Sequence, residues 1–244
     1  MFPFLKTKYY LKDLLPENYI DIHNHLLPGI DDGAKTIQET TELIVAMKKL
    51  NIHKSIATPH TFNSKWNNTS QTIKTAFEIA TKDKENRAFL KNYASEYMLD
   101  SSLIAKMREE ELLCLHDNFL LLEFPMLSSP FNLYEMLFEI KIKNYKIILA
   151  HPERYLYLHN SITKYEKLKE FGVFFQLNLL SLTGYYGKII QKKALELLEN
   201  DLYDFTGSDI HSKTEINQFQ TVKLQIPNKK KMEHLLLNNS IFLK

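Results

Sequence analysis

The chain has 244 residues, 31 of them Lys or Arg and 29 Asp or Glu, with 44% hydrophobic residues and a net charge of +2. That length suits one large domain with a sizeable core, and the balanced charge gives no footing for a polyanion such as nucleic acid. A single cysteine, Cys114, excludes an internal disulfide framework and points to a reducing, cytoplasmic setting, while the absence of a signal peptide or a roughly 18-residue apolar run argues against membrane insertion.

Residues 1–18 read as an extension, in which Tyr9, Tyr10, Leu11, Leu14 and Leu15 can pack against one domain spanning 19–244. The first strand covers 19–23 and leads into His23-Asn-His25. After a loop containing Gly29 and Gly33 comes a helix over 36–50, which Thr36 caps with Glu39 three residues on, as in a capping box. A second strand over 53–58 leads to His60, and the polar loop 61–69 precedes a helix capped by Ser70. Further strands are expected at 93–97, 119–123, 146–150, 173–178 and 203–207, with helices at 101–111, 131–144, 161–171 and 186–200 and a partly helical tail after His211. Lys229-Lys230-Lys231 reads as a solvated turn.

Seven strands alternating with helices argue for a parallel sheet with right-handed crossovers. An open doubly wound sheet shares that alternation but gathers ligands chiefly at one switch point. Here polar side chains follow every strand, the sixth contributing Gln176 and Asn178. The expected fold is therefore an irregular seven-stranded α/β barrel, whose strand ends converge on one mouth.

The residues at those ends are metal-ligand types. His23 and His25 share one face, because strand side chains alternate, and Asp209-Ile-His211 repeats the spacing with a carboxylate. His60, Glu96, Glu123 and His151 also end apolar runs. Such a set of nitrogen and oxygen donors points to several divalent metals, Mn²⁺ or Fe ahead of Mg²⁺ because imidazoles are present. Burying so many ionisable groups unpaired would be costly. His53, His116 and His159 fall outside the pattern and read as surface or structural residues.

Asp21-Ile-His-Asn-His-Leu-Leu-Pro-Gly-Ile-Asp-Asp-Gly-Ala-Lys35, Ala57-Thr-Pro-His60, Leu122-Glu-Phe124, Ala150-His-Pro-Glu-Arg154, Leu180-Ser-Leu-Thr-Gly184 and Gly207-Ser-Asp-Ile-His211 resemble the motifs of the polymerase-and-histidinol-phosphatase superfamily. Within it they are most similar to the manganese-dependent bacterial protein-tyrosine phosphatases of capsule and exopolysaccharide clusters. The resemblance covers about residues 19–212 in order. It implies a distorted (β/α)7 TIM-like barrel with two to three divalent metals, Mn²⁺ first and Fe or Zn as alternatives. By motif, His23, His25, Glu96 and Asp209 hold one ion. Glu96 bridges to a second, shared with Glu123 and His151. Asp32, with Asp31 as its competitor, joins His60 and His211 on a third. The implied substrate is the phosphotyrosine tail of a bacterial tyrosine autokinase in polysaccharide export.

Arg154 and Asp209 are the expected catalytic residues, Asp209 through the metal it holds. The Arg154 guanidinium can grip phosphate oxygens in a bidentate manner; its alternative partner is Glu153 or a helix carboxylate. Phe62 and Trp66 either flank an aromatic substrate or cap the barrel. Ser181, Thr183 and Gly184 can simply start a helix. Cys114 lacks the glycine-rich phosphate loop and downstream arginine of a cysteine phosphatase, so it reads as a buried small hydrophobe. A small-metabolite phosphatase, such as one for histidinol phosphate, is the alternative enzyme. A non-catalytic regulator is disfavoured because every expected ligand position holds a competent donor.

Overall fold

A computed structural model describes residues 8–243. The first seven residues of the expected extension, and Lys244, lie outside that range. In chain order the elements are β1 (Lys8–Tyr9), β2 (Ile20–Asp21), α1 (Ile37–Lys48), β3 (Lys54–Ala57), β4 (His60–Thr61), α2 (Ser70–Ala80), α3 (Lys84–Phe89), β5 (Leu90–Tyr93), β6 (Glu96–Met98), α4 (Ser101–Glu109), β7 (Phe119–Glu123), α5 (Leu133–Ile142), β8 (Lys146–Ala150), α6 (Ile162–Glu170), β9 (Phe174–Asn178), α7 (Lys188–Glu199), β10 (Phe205–Gly207), α8 (Lys213–Thr221), β11 (Leu224–Gln225) and α9 (Lys229–Asn238).

This is an α/β fold built on a curled parallel sheet. Six strands run in the order β10-β9-β8-β7-β6-β4, and three more in the order β2-β3-β5. The strand expected at 53–58 is β3. A break at Thr58-Pro59, where proline removes a ladder donor, separates it from β4, a two-residue strand outside the expected set. The strand expected at 93–97 is itself broken, taking in the last residue of β5 and most of β6. Backbone bonds carry the pairing across both breaks, from Ala94 N to Ala57 O (2.8 Å) and from Glu96 N to Pro59 O (3.1 Å). At the other margin Asn24 and Ile210 form a parallel bridge, flanked by His25 N donating to Ile210 O and Asp209 N to His23 O.

Strand side chains divide between two apolar layers, as period-two alternation requires. Leu120 and Leu122 of β7, and Ile147 and Leu149 of β8, join the layer that also takes Leu43, Ile44 and Met47 of α1. Phe119, Leu121, Ile148 and Ala150 face the concave side with Ile20, Ile22 and Phe205. At the strands' N-terminal end, Phe119, Phe174, Phe205 and Phe242 meet at ring separations of 5.1 to 5.9 Å and fill the curl. The polar residues are thereby confined to the opposite end.

Helix ends follow local chemistry. Thr36 caps α1 by accepting from Glu39 N, although the Glu39 carboxylate accepts from Lys35 N rather than completing the box on Thr36. Thr69, not Ser70, caps α2 and forms a reciprocal box with Thr72. Lys229-Lys230-Lys231 opens α9 instead of forming a turn. The short helix α3 has no counterpart in the sequence reading; Asp83 caps it through Glu85 N and Asn86 N. Within the former extension, Leu11, Leu14 and Leu15 are buried in the core, and β1 pairs antiparallel with β11. No helix among the described residues is long and apolar enough to cross a membrane.

Candidate metal centre

Every strand-end donor singled out in the sequence lies at one end of the curled sheet, with Glu96 in the middle. Glu96 Oε2 is 3.2 Å from His23 Nε2, 3.6 Å from His25 Nε2 and 3.0 Å from His60 Nδ1. Its Oε1 is 3.0 Å from His151 Nε2. Asp209 Oδ1 stands 3.3 Å from both His23 Nε2 and His25 Nε2, and Glu123 Oε1 is 3.2 Å from His60 Nδ1. On the outer side Asp32 Oδ1 is 3.6 Å from His60 Nε2 and 3.5 Å from His211 Nε2.

These atoms form four overlapping donor groups: His25, Asp32, His60 and His211; His23, His25 and Asp209; His23, Glu96 and His151; and His60, Glu96 and Glu123. The grouping differs from the motif-based expectation in that His60 turns one ring nitrogen to each side, bridging the Asp32–His211 group and the Glu96–Glu123 group.

A second set of side chains aims the imidazoles. His23 Nδ1 donates to Gln176 Oε1 (2.8 Å), His25 Nδ1 to Asp31 Oδ2 (2.8 Å) and His211 Nδ1 to the Asp209 carbonyl (2.9 Å). Each bond fixes the tautomer and turns Nε2 inward as a lone-pair donor. Asp31 and Asp32 face different partners. Asp31 is tied to His25, Gly33 N and His60 N, whereas Asp32 offers its carboxylate to the centre. Gly33 makes that loop possible by close approach, since a Cβ there would lie 1.9 Å from His25 O.

The donor set suits divalent cations. His23 Nε2, His25 Nε2, His60 Nδ1 and Glu96 Oε2 are buried without a hydrogen-bond partner, an arrangement that costs roughly 1–3 kcal/mol per atom unless another group satisfies it. Burial alone would raise Glu96 and Asp209, but the imidazoles around each hold both carboxylates well below their usual range. With no cation bound, burial lowers His23, yet Glu96 and Asp209 outweigh it and raise the ring to about 10, so an incoming cation has to displace the Nε2 proton to use that lone pair. His151 is lowered by burial and by Arg154.

Backbone strain is stored in the same place. His151 (φ 37°) and Asp209 (φ 53°) occupy the left-handed region, which β-carbon-bearing residues enter at a cost of order 1–3 kcal/mol. In β8, Ile148 and Ala150 face inward, so alternation would send His151 outward. The left-handed turn re-aims its ring toward Glu96.

Arg154 does not pair with Glu153. Its Nη1 donates to Asp209 Oδ2 at 2.8 Å, and its guanidinium lies 4.5 Å from the Tyr186 ring centroid. Glu153 is buried facing away, accepting from Asn178 N, Ser181 Oγ and Tyr203 OH. Ser181 and Thr183 belong to a short turn over 179–183 that ends at Gly184. Trp66 stacks on His60 with centroids 4.7 Å apart and planes 10° from parallel. Phe62 bonds to Trp66 through the backbone, so both residues close the loop beside the centre. Of the remaining histidines, His159 donates to the Glu153 carbonyl, His53 is exposed and His116 lies beside Asp117. Cys114 is half-buried rather than fully buried; burial and Glu111 raise its thiol to about 12. The orienting roles of Gln176 and Asp31 escaped the sequence reading. The polar residue interrupting an apolar strand was the available signal for Gln176.

The family described as capsular polysaccharide synthesis, CpsB/CapC, matches residues 19–241. The chain belongs to this family. It is 30% identical over 196 residues to the tyrosine-protein phosphatase YwqE of Bacillus subtilis, covering 79% of this chain and 77% of that protein. It is 27% identical over 203 residues to the tyrosine-protein phosphatase CpsB of Streptococcus pneumoniae, covering 79% and 83%. A crystal structure from work on YwqE and CpsB, described as unique metal-dependent tyrosine phosphatases, superposes with a TM-score of 0.78 at 26% identity, covering 92% of this chain and 93% of that one. The motif resemblance and the CpsB/CapC membership therefore agree.

Proposed function

We propose that the chain is a metal-dependent protein-tyrosine phosphatase acting on a bacterial tyrosine autokinase in capsule or exopolysaccharide export. The observation that carries this reading is the convergence of nine His, Asp and Glu donors, Glu96 at their middle, with a guanidinium at their edge. The family description supplies the polysaccharide context, and the activity follows that of YwqE and CpsB. We assign His23, His25, Glu96 and Asp209 to one ion, Glu96, Glu123 and His151 to a second, and Asp32, His60 and His211 to a third. Mn²⁺ suits this mixed imidazole and carboxylate set. The strands are read as one irregular seven-stranded barrel, because backbone bonds span both strand breaks and the Asn24–Ile210 margin. The lone thiol and the kinase substrate both favour the cytoplasm.

Divalent cations supply charge neutralisation at the phosphoryl oxygens and acidify water near neutral pH. The chain's own residues position the substrate. Arg154 keeps Nη1 on Asp209 and presents its remaining donors to the phosphate. Tyr186 supports the guanidinium face, and Trp66 shields His60 from solvent. Phenolate, whose conjugate acid has a pKa of about 10, leaves far more readily than a serine alkoxide, so charge stabilisation without a dedicated proton donor favours phosphotyrosine.

The test is a panel of phosphotyrosine peptide, phosphoserine peptide and histidinol phosphate with manganese-loaded protein. Phosphotyrosine turnover should dominate and disappear with EDTA. Iodoacetamide at pH 8 should leave it intact, because a thiol raised to about 12 is almost wholly protonated there. A marked preference for histidinol phosphate would overturn the assignment in favour of a metabolite phosphatase.

A further inference from the structure

Beside the candidate metal centre lies an apolar cleft of about 390 Å³, lined by Met126, Arg154, Leu156, Tyr186, Lys188 and Ile189. The chemistry above uses only its edge, Arg154 and Tyr186. Its walls come from the segments following β7, β8 and β9, the strands that deliver Glu123, His151 and Asn178 to the centre. Large apolar side chains face solvent here: Leu156 is 59% exposed, Ile189 69%, and the adjoining Leu127 96%. Clustered exposure of this kind marks a surface that something covers.

Two observations identify the occupant. The first is continuity. The Arg154 guanidinium is bonded to Asp209 and also borders the cleft, with Tyr186 stacked against it as the shared wall. A phosphate held by Arg154 therefore brings the adjoining part of its own molecule to the cleft. The second is charge. Arg154 and Lys188 both line the cleft, and among the described residues Lys188 has no carboxylate at ion-pair distance. The wall is thus aliphatic with a free cation at its rim.

We propose that this cleft is a peptide subsite, receiving a large apolar side chain next to the phosphotyrosine, with an acidic residue of the same peptide meeting Lys188. The inference rests on the phosphatase reading and deepens it: specificity lies in flanking sequence as well as in the phosphotyrosine. Burying one such side chain against an aliphatic wall is worth about tenfold or more in kcat/KM.

The experiment compares two phosphotyrosine peptides that differ only in a leucine or a glycine beside the phosphotyrosine, with para-nitrophenyl phosphate as reference, using manganese-loaded full-length protein. The wild type should prefer the leucine peptide about tenfold. Ile189→Asp should abolish that preference, measured as the ratio of the two kcat/KM values. Ile189 is solvent-exposed in the first turn of α7, where an acidic residue favours the helix, so this variant should fold; Leu156→Ala is the second variant, expected to act in the same direction. Equal hydrolysis of the two peptides by the wild type, or an undiminished preference in both variants, would overturn the subsite while leaving the phosphatase reading intact. A dimer seen by light scattering that Ile189→Asp dissolves, with peptide preference unchanged, would make the cleft a self-interface and overturn it likewise. Failure to hydrolyse any of the three substrates would sink both readings.

Discussion

Arg154 and Trp66 show how single side chains divide the work around the donors. Arg154 holds Asp209 Oδ2, but Asn178 Nδ2 donates to the same oxygen at 2.8 Å. Arg154→Ala should therefore leave Asp209 oriented and metal content unchanged, while kcat/KM on a phosphotyrosine peptide falls by about 10² or more. Arg154→Lys should recover only part of this, because an ammonium cannot serve the carboxylate and the phosphate through one planar fork. Metal analysis beside steady-state kinetics checks both; loss of metal in Arg154→Ala would make the residue a support for Asp209 instead. Trp66 is the only tryptophan in the chain, and its ring covers His60. Titrating Mn²⁺ into metal-stripped protein should quench its emission in proportion to occupancy, and His60→Ala should blunt that response. An unchanged spectrum across the titration would remove His60 from the ligand set.

At the scale of strands, the site depends on how closely neighbouring segments approach. A Cβ on Gly207 of β10 would lie 2.5 Å from the His23 Cβ and 2.7 Å from Gln176 Nε2. Gly207→Ala should therefore push apart the segments carrying His23 and Asp209, lowering metal content and costing about 1–3 kcal/mol in urea unfolding. The sequence made the strand ends legible, because an apolar run that stops at a His or Glu carries both the strand and its ligand in one short window. It left undecided which of Asp31 and Asp32 faces the donor cluster, since adjacent carboxylates in a loop are distinguished only by what folds back on them. It missed β4 and ran the end of β5 into β6, because local pattern does not register a change of strand partner across Ala94-Ser95. It also missed the stacking of Trp66 on His60, a contact that depends on the closure of the 61–69 loop.

For the molecule as a whole, a buried amide reinforces the junction between the two margins of the sheet. Asn239 Nδ2 donates to Ile20 O and Thr206 O, while its Oδ1 accepts from Thr206 N. Asn239→Ala would leave these backbone groups without their partner, at roughly 1–3 kcal/mol each, so a stability loss of about 3 kcal/mol or more is expected in equilibrium unfolding. A loss below about 1 kcal/mol would show that β2 and β10 hold without the clasp. The same junction sets a timetable. Asp21 meets Ser208 across 187 residues of sequence, and Asn239 reaches Ile20 across 219, contacts of the kind that form late. While the ribosome is still making the middle of the chain, the His23–His25 pair has no Asp209 or His211 to meet. The donor groups that include Asp209 and His211 should therefore be completed only after the C-terminal segment has emerged, and the finished protein should carry whichever competent cation dominates the pool it meets on release.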